Sequence, residues 1–518
     1  MKVERVQNAS RNILFGLLMK GYQILMPFLM RTALIYYMGI QYLGLNSLFT
    51  SVLQVLNLAE LGVGNAMVYS MYKPVAENDS LKICALMKLY RTYYYVVGLV
   101  IAIVGMILTP FVPKLISGDI PEGVNLYILY LLNLSATVLS YWLFAYKNSV
   151  LIAHQRMDIT SKVTIVTNSI QYILQFLVLL LLKNYYVYVL VVLVTQVLTN
   201  VATAVVSDRM FPQYKPVGKL PDAQKIVINQ RIKDLFTSKL GAVILNSADT
   251  IVISSFLGLT VLAIYQNYYF ILTSIIGFVA IIFSSVTAGI GNSIITETKD
   301  KNFCDFKKFT FLISWLSAFC SCCFLCLFQP FMKAWVGEEY QLGFGAVICF
   351  SIYFYIYEIN QLMNTFKDAA GIWHEDRFRP LTTALVNLVM NLFFVRSWGI
   401  YGVLLSTVFS WVFVGMPWLL HNLFTALFDR GLLFDYLKSL LIYLFAAVAV
   451  SVFCTILCNL ILLNDYLTFV LRLLLCVVVF NTLYLLIFRK NKEFLSSVVL
   501  VDKMTKGKLH LSRLFIRD

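Results

Sequence analysis

The sequence predicts an all-α membrane protein that crosses the bilayer about fourteen times, and three observations predict it. Hydrophobic residues make up 60% of the 518 residues, whereas about half is usual for a soluble domain. Apolar stretches of about 20 residues, the length that spans a bilayer as a helix, recur from one end of the chain to the other. The basic residues between these stretches fall mostly on alternate loops, as the positive-inside rule requires of a polytopic protein.

Each apolar run predicts one helix, and the charged, Pro or Gly residues that interrupt the runs predict where each helix ends. Their predicted cores are 13–38, 43–68, 88–111, 124–146, 163–183, 185–206, 236–257, 260–290, 306–330, 342–364, 380–397, 399–421, 438–461 and 466–488.

A basic segment between helices 6 and 7 divides this series, and its second half has the pattern of an amphipathic helix lying on the cytoplasmic leaflet. The predicted organisation is an N-lobe of helices 1–6 (1–206), a cytoplasmic linker with the interfacial helix (207–235), a C-lobe of helices 7–12 (236–421), helices 13 and 14 (422–488) and a basic cytoplasmic tail (489–518).

The distribution of positive charge predicts the orientation. Of the 41 Lys and Arg residues, 34 lie at the two termini or in the loops after even-numbered helices and the helix ends that flank them, and 4 lie in the loops and flanking helix ends on the other side. The remaining three, Lys20, Arg31 and Arg472, lie further inside predicted helices. Both termini are therefore expected in the cytoplasm. Because the basic residues are spread in short clusters, the net charge of +15 does not indicate a nucleic-acid partner.

The two lobes resemble each other weakly. The segment YMGI, with Gly39, aligns with FLGL, with Gly258, at an offset of 219 residues. Both segments follow a helix that begins in the cytoplasm, so the predicted repeat is parallel, with its axis along the membrane normal. Two six-helix lobes plus two extra C-terminal helices are expected.

Ionisable side chains within the helices are the candidate functional residues, because a charge at the bilayer centre costs about 2.5–3.5 kcal/mol. Lys20 and Arg31 are eleven residues apart on helix 1, which places them within about 20° of the same direction, with Gln23 at the flank. Asn57 and Glu60 share a polar face of helix 2. Each of these residues can serve either a structural ion pair or a site, and the cationic face tilts the balance towards a cavity for an anionic substrate.

Three other charged residues complete the set. Asp249 on helix 7 and Glu358 on helix 10 have side chains too short to reach the membrane surface, and they are candidates for gating or ion coupling. Arg472 is close enough to the outer end of helix 14 to extend to the lipid headgroups. The four cysteines of FCSCCFLC (320, 322, 323 and 326) are interpreted as packing residues, since metal sites ordinarily recruit polar loops.

Residues 31–67, RTALIYYMGIQYLGLNSLFTSVLQVLNLAELGVGNAM, resemble the first two helices of the bacterial polysaccharide flippases, the O-antigen and capsule-repeat translocators of the multidrug/oligosaccharidyl-lipid/polysaccharide exporter superfamily. That family has an Arg before a short Leu-Gly turn, an acid-Leu-Gly step on helix 2, and an Asp, a Gly and a Tyr around helix 7. The matching residues here are Arg31, Met38, Gly39, Glu60, Leu61, Gly62, Asp249, Gly258 and Tyr265. Glu60 departs from the pattern, in which Asp is more frequent.

The resemblance implies a flippase of the bacterial inner membrane, which moves undecaprenyl-pyrophosphate-linked oligosaccharide to the outer leaflet by alternating access. It implies membrane lipids, a polysaccharide polymerase and a chain-length regulator as partners, and no nucleic acid. No cofactor is expected, and a coupling ion, H⁺ or Na⁺, is left open.

Three alternatives stay open. A multidrug or toxin exporter would share the fold but handle cations through carboxylates such as Glu60 and Asp249. A lipid II flippase would have a more cation-rich cavity. A membrane glycosyltransferase would need a large extracytoplasmic segment, and the longest predicted outer loop is only 111–123. With no HExxH, Walker or Rossmann pattern either, the sequence predicts a transporter and not an enzyme.

Overall fold

The helices of the computed structural model follow the apolar runs of the sequence. The structure describes residues 5–60, 62–118, 120–461 and 465–504, and no β-strand occurs among them. Ten helices in this part of the chain are long and apolar enough to cross a membrane, or eleven if a pair bent by 47° (Leu126–Trp142 with Ala145–Ala153) is one span. The all-helical membrane fold is therefore confirmed, whereas the count of fourteen and the cytoplasmic termini stay predictions.

The chain forms two compact units, Met1–Ala263 and Ile264–Asp518. The first contains α1 (Arg5–Met38), α2 (Ile40–Leu56), α3 (Val63–Glu77), α4 (Ser80–Leu108), α5 (Leu126–Trp142), α6 (Asn148–Ala153), α7 (Met157–Leu181), α8 (Tyr185–Met210) and the first part of α9 (Asp222–Thr296). Short 3₁₀ turns occur at Asn57–Glu60, Thr109–Leu115 and Ala145–Lys147. Within this unit α1 packs against α2 and α7, α7 against α8, and α4 against α3 and α5.

The second unit contains the remainder of α9 and the later helices. These are α10 (Lys299–Val336), α11 (Phe344–Ala369), α12 (Arg379–Trp398), α13 (Ile400–Ser410), α14 (Met416–Ala426), α15 (Leu433–Asn459), α16 (Asp465–Leu475), α17 (Asn481–Phe488) and α18 (Lys492–Met504). π-Helical turns lie at Trp411–Gly415 and Cys476–Phe480, and 3₁₀ turns at Glu338–Tyr340 and Arg430–Leu432. Helix α10 is central to this unit, with α11, α15, α16 and α18 packed against it.

The linker expected at 207–235 is irregular only in its first half. From Asp222 it is helical and continues into the next predicted span as part of α9. The Tyr93 hydroxyl of α4 donates a hydrogen bond to Asn229 Oδ1 at 2.7 Å, and Arg231 lies over the Tyr69 ring at 4.7 Å. These contacts hold the start of α9 against the helices of its own unit.

Candidate functional site

The predicted cationic residues of helix 1 lie on α1, a helix that packs against α7. Lys20 and Arg31 are both half-buried, whereas Gln23 between them is exposed. The Tyr22 hydroxyl and Ser169 Oγ of α7 form a hydrogen bond at 2.9 Å. This bond links α1 to α7 through a residue on the side of α1 opposite Lys20 and Arg31.

Arg31 lies near one end of a chain of tyrosines from α8 and α2, which nothing in the sequence of α1 indicates. Its guanidinium interacts electrostatically with Tyr188 of α8, which is buried. Tyr188 stacks on Tyr185 with 5.8 Å between ring centroids, and Tyr185 contacts Tyr42 at 4.9 Å. A planar guanidinium next to aromatic rings and phenol hydroxyls combines groups that bind phosphate with groups that bind sugars.

Helix 2 is interrupted at its acidic residue. Helix α2 ends at Leu56, the 3₁₀ turn Asn57–Glu60 follows, and α3 begins after Gly62, whose φ is 89°. A left-handed φ of this kind suits glycine because it has no Cβ. Discontinuous membrane helices expose backbone polar groups where ions and substrates bind. The interruption of helix 2 therefore places Asn57 and Glu60 at the kind of break that forms such binding sites.

Tyrosines also surround Glu60. The Tyr94 hydroxyl donates a hydrogen bond to Glu60 Oε1 at 3.2 Å and accepts one from Tyr90 at 2.6 Å. A Cβ on Gly64 would lie 2.9 Å from the same carboxylate oxygen, so the glycine lets the chain approach the acid closely. Lys239 of α9 attracts the carboxylate electrostatically.

The sequence indicates that two of the tyrosines around Glu60 lie together. Tyr90 and Tyr94 are four residues apart on one helix, so they lie on one face of α4. Asn57, one 3₁₀ turn before Glu60, has its Oδ1 buried without a hydrogen-bond partner among the described residues. Arg31 and Glu60 thus lie in the same unit but each has its own tyrosine partners.

Asp249 lies on the part of α9 that belongs to the first unit. It is buried, and its neighbours Ser247 and Thr250 are buried as well. Five residues further along, the carbonyl of Ser254 accepts a hydrogen bond from the Ser117 backbone N–H at 2.9 Å. The acid is therefore near the start of a junction between α9 and the chain that follows α4.

The same junction brings two backbones into direct contact. A Cβ on Gly44 of α2 would lie 2.2 Å from the backbone oxygen of Leu259, and one on Gly258 would lie 2.7 Å from that of Ser117. Real Cβ atoms do not approach a backbone oxygen so closely. Glycine is consequently required at both positions for this arrangement of α2, α9 and residues 115–117.

Glu358 lies in the second unit, on α11, and is 1% exposed. Both of its carboxylate oxygens are buried without a hydrogen-bond partner among the described residues. Asn267 of α9, also in the second unit, is buried with both side-chain polar atoms unpartnered in the described part of the chain. A buried carboxylate without such partners is stable only when a proton or a cation neutralises it.

Sequence comparison supplies the decisive observation. Residues 9–288 match the family described as "Polysaccharide biosynthesis protein", which is more than half of the chain. The chain belongs to the polysaccharide biosynthesis protein family. No curated protein sequence matches it significantly.

Solved structures similar to this member of the polysaccharide biosynthesis protein family are membrane transporters. The lipid II flippase MurJ in an inward closed conformation aligns with a TM-score of 0.69 and 14% identity over 92% of this chain and 99% of that one. A MATE transporter from Vibrio cholerae aligns with a TM-score of 0.54 and 16% identity over 83% and 99%. A MOP superfamily transporter from Pyrococcus furiosus aligns with a TM-score of 0.52 and 12% identity over 82% and 96%. The chain therefore has the same fold as these transporters.

The family motifs coincide with interruptions of the helices. Gly39 separates α1 from α2 with φ 103° and ψ 160°, and Gly258 interrupts α9 with φ 87° and ψ 174°. This backbone region is open essentially to glycine alone. The two glycines that were aligned at the 219-residue offset thus have the same unusual conformation, and each follows the first helix of its predicted lobe.

Asp376 and Arg379, in the segment HEDRFR (374–379), form a buried ion network in this member of the family. Arg379 donates to both carboxylate oxygens of Asp376, at 2.6 and 2.8 Å, and also to Asn364 at 2.7 Å. Lys367 and Asn422 contact the same carboxylate. The network connects α11, α12 and α14, and its role is structural because its charges are already paired.

Proposed function

We propose that this protein translocates an undecaprenyl-pyrophosphate-linked oligosaccharide from the cytoplasmic to the outer leaflet of the bacterial inner membrane, for cell-surface polysaccharide biosynthesis. Family membership and the transporter fold support this class of function. Alternating access is the mechanism proposed. The residues proposed to contact the substrate are Lys20, Gln23, Arg31, Asn57 and Glu60.

The observation that carries the proposal is the half-buried Arg31 beside Tyr188 of α8, which stacks on Tyr185, which in turn contacts Tyr42 of α2. A guanidinium in a membrane helix has an insertion cost of about 2.5–3.5 kcal/mol, which an anionic ligand offsets. Its fork of N–H donors matches the oxygens of a pyrophosphate. The neighbouring aromatic rings provide faces on which the first sugar can stack.

Glu358 and Asp249 are proposed to couple and to gate transport. Glu358 has the surroundings of a group that carries a proton or Na⁺, since its oxygens have no hydrogen-bond partner within the described residues. Asp249 is next to the junction of α9, where a change of its charge or pairing would alter the contact. Moving two negative charges outward through an inside-negative potential gains about 4–5 kcal/mol per 100 mV, so an ion assists the transport without being obligatory.

The experiment compares variants in a strain from which the gene has been deleted and then restored on a plasmid. Membranes of the deletion strain should accumulate lipid-linked oligosaccharide, identified by mass spectrometry. Arg31→Glu should restore at most about one thirtieth of wild-type export, because losing a charge pair of this kind costs about 2 kcal/mol or more. Arg31→Lys should restore part of it, since the charge remains but the bidentate geometry does not.

Lys183→Glu is the matched control, because it changes the net charge equally at an exposed residue. It should restore export fully. Accumulation of lipid II alone in the deletion strain would instead identify a lipid II flippase, and unchanged lipid profiles with altered drug sensitivity would identify a multidrug exporter. Full export by Arg31→Glu would refute the assignment of the phosphate-binding role.

A further inference from the structure

The second unit contains a group of buried cysteines drawn from three separate segments. Two come from α10, two from α15, and one from the π-helical turn after α16. We call them the thiol cluster: Cys322, Cys326, Cys454, Cys458 and Cys476. None is more than 2% exposed. Half of the ten cysteines of the chain therefore converge on one place in its interior.

The thiols are close enough to share a ligand. The sulfur atoms of Cys322, Cys326 and Cys476 all lie within 4.8 Å of one another. The Cys322 thiol also interacts with Cys454, and the Cys326 thiol with Cys458. Each sulfur of the central three is thus within reach of a common point, and two further sulfurs lie next to it.

The spacing of the cluster is that of a site on facing helices. Cys322 and Cys326 are four residues apart on α10, and Cys454 and Cys458 are four residues apart on α15, so each pair lies on one helix face. Cys476 begins the π-helical turn Cys476–Phe480. Single π-turns within α-helices occur frequently at functional sites, because they redirect the side chains at that turn.

The chemistry of the donors selects the ligand. Among the residues that the structure describes, the metal-ligating groups brought together here are thiols, with no carboxylate or imidazole in the cluster. Thiolates prefer soft, closed-shell ions such as Zn²⁺ and Cu⁺, whereas Mg²⁺ and Ca²⁺ require oxygen ligands. The cluster consequently suits a thiophilic metal ion and no hard cation.

A positive residue lies on the same helical stretch as Cys476. Arg472 is four residues before Cys476, and its Nη2 donates to the carbonyl of Ile461, two residues past the end of α15, at 3.4 Å. Its Nε is buried and has no hydrogen-bond partner among the described residues. A guanidinium at this position offsets the negative charge that coordinated thiolates bring into the membrane.

We propose that the thiol cluster binds one thiophilic metal ion that fastens α15 and α16 to α10. Cys322, Cys326 and Cys476 are the three ligands, and Cys454 or Cys458 supplies a fourth sulfur where the ion is tetrahedral. Each ligand forms a metal–sulfur bond and releases its thiol proton, so no oxidant or reductant is needed. Because the sulfurs are buried, the ion enters during folding and is retained afterwards.

The test measures metal in the full-length protein, purified in detergent from cells grown with added Zn²⁺ and, separately, with added Cu²⁺, which cells reduce. Elemental analysis of the monodisperse fraction should find about one equivalent of Zn or Cu per chain that withstands washing with EDTA. Protein from Cd²⁺-supplemented cells should show the ultraviolet absorption of sulfur-to-cadmium charge transfer. The Zn and Cu cultures identify which ion the site prefers.

Cys322→Ser and Cys476→Ser should each lower the retained metal at least about fivefold, because each removes one of three ligands. Cys349→Ser is the matched control, a buried cysteine of α11 outside the cluster, and it should retain the wild-type content. If Cys322→Ser does not fold, Cys326→Ser replaces it. Equal metal content in control and cluster variants, or metal that EDTA removes completely, would overturn the proposal.

Discussion

At the scale of the residue, the three acids within the membrane helices, Glu60, Asp249 and Glu358, differ in the groups that surround their carboxylates. The Glu60 carboxylate accepts a hydrogen bond from Tyr94 and lies near Lys239. Asp249 lies beside buried hydroxyl-bearing residues of α9. Glu358 alone among the three has both oxygens buried without hydrogen bonds in the described part of the chain, which makes it the strongest candidate for a titrating or cation-binding group.

Glu358→Gln tests this role directly. The amide keeps the shape of the side chain but can neither exchange a proton nor neutralise a cation. We expect transport in proteoliposomes to fall and to lose its dependence on pH or on Na⁺, with normal expression. Glu338→Gln, an exposed acid of the same unit that pairs with Lys333, should leave both unchanged. An ion dependence identical to that of the wild type would assign Glu358 a purely structural role.

At the scale of the element, the helices are interrupted where the family motifs lie. Gly39 and Gly258 turn the chain between consecutive helices, and the turn Asn57–Glu60 divides helix 2. Next to these turns, Gly44 of α2 approaches the Leu259 carbonyl of α9, so the two helices meet at backbone distance. Because close-packed backbones cannot adjust gradually, α2 and α9 are either in contact at Gly44 and Leu259 or fully apart there.

Gly44→Ala is expected to break this contact. Its new Cβ would lie 2.2 Å from a backbone oxygen, which cannot move aside as a flexible side chain can. Overpacking of this kind costs about 1–3 kcal/mol, so we expect a lower melting temperature in detergent and reduced export. Gly21→Ala, a helical glycine with open space around it, is the matched control and should be neutral. Equal melting temperatures for the two variants would contradict the contact.

At the scale of the whole molecule, the alternation of charge along the chain predicts how it lies in the membrane. The expected orientation follows from the positive-inside rule. Cys304, at the start of α10, is the one exposed cysteine of the chain. It lies in a segment predicted to be cytoplasmic and is therefore a natural reporter of the orientation.

A membrane-impermeant maleimide should label Cys304 in inverted inner-membrane vesicles and leave intact spheroplasts unlabelled. Labelling should disappear in Cys304→Ser, because the other nine cysteines are buried or only partly exposed. Detection by mass spectrometry of the modified peptide locates the label. Labelling from the outside of spheroplasts would reverse the predicted orientation of the whole chain.

The sequence by itself determined the all-helical membrane fold, the approximate bounds of the helices and the family motifs. Apolar length and charge alternation are local properties, and the bilayer imposes both on any chain that crosses it. The sequence also pointed to two glycines with an unusual backbone. Gly39 and Gly258 align within short matching segments, and both have a backbone conformation that essentially only glycine adopts.

Only the tertiary structure decided which side chains meet. The tyrosines around Arg31 and Glu60 come from other helices, as do the cysteines of α15 and α16 that join those of α10. The FCSCCFLC segment alone indicated packing residues, because it lies within an apolar helix and metal sites ordinarily recruit polar loops. Contacts between distant segments depend on helix register, tilt and interruptions, which no periodicity within one segment encodes.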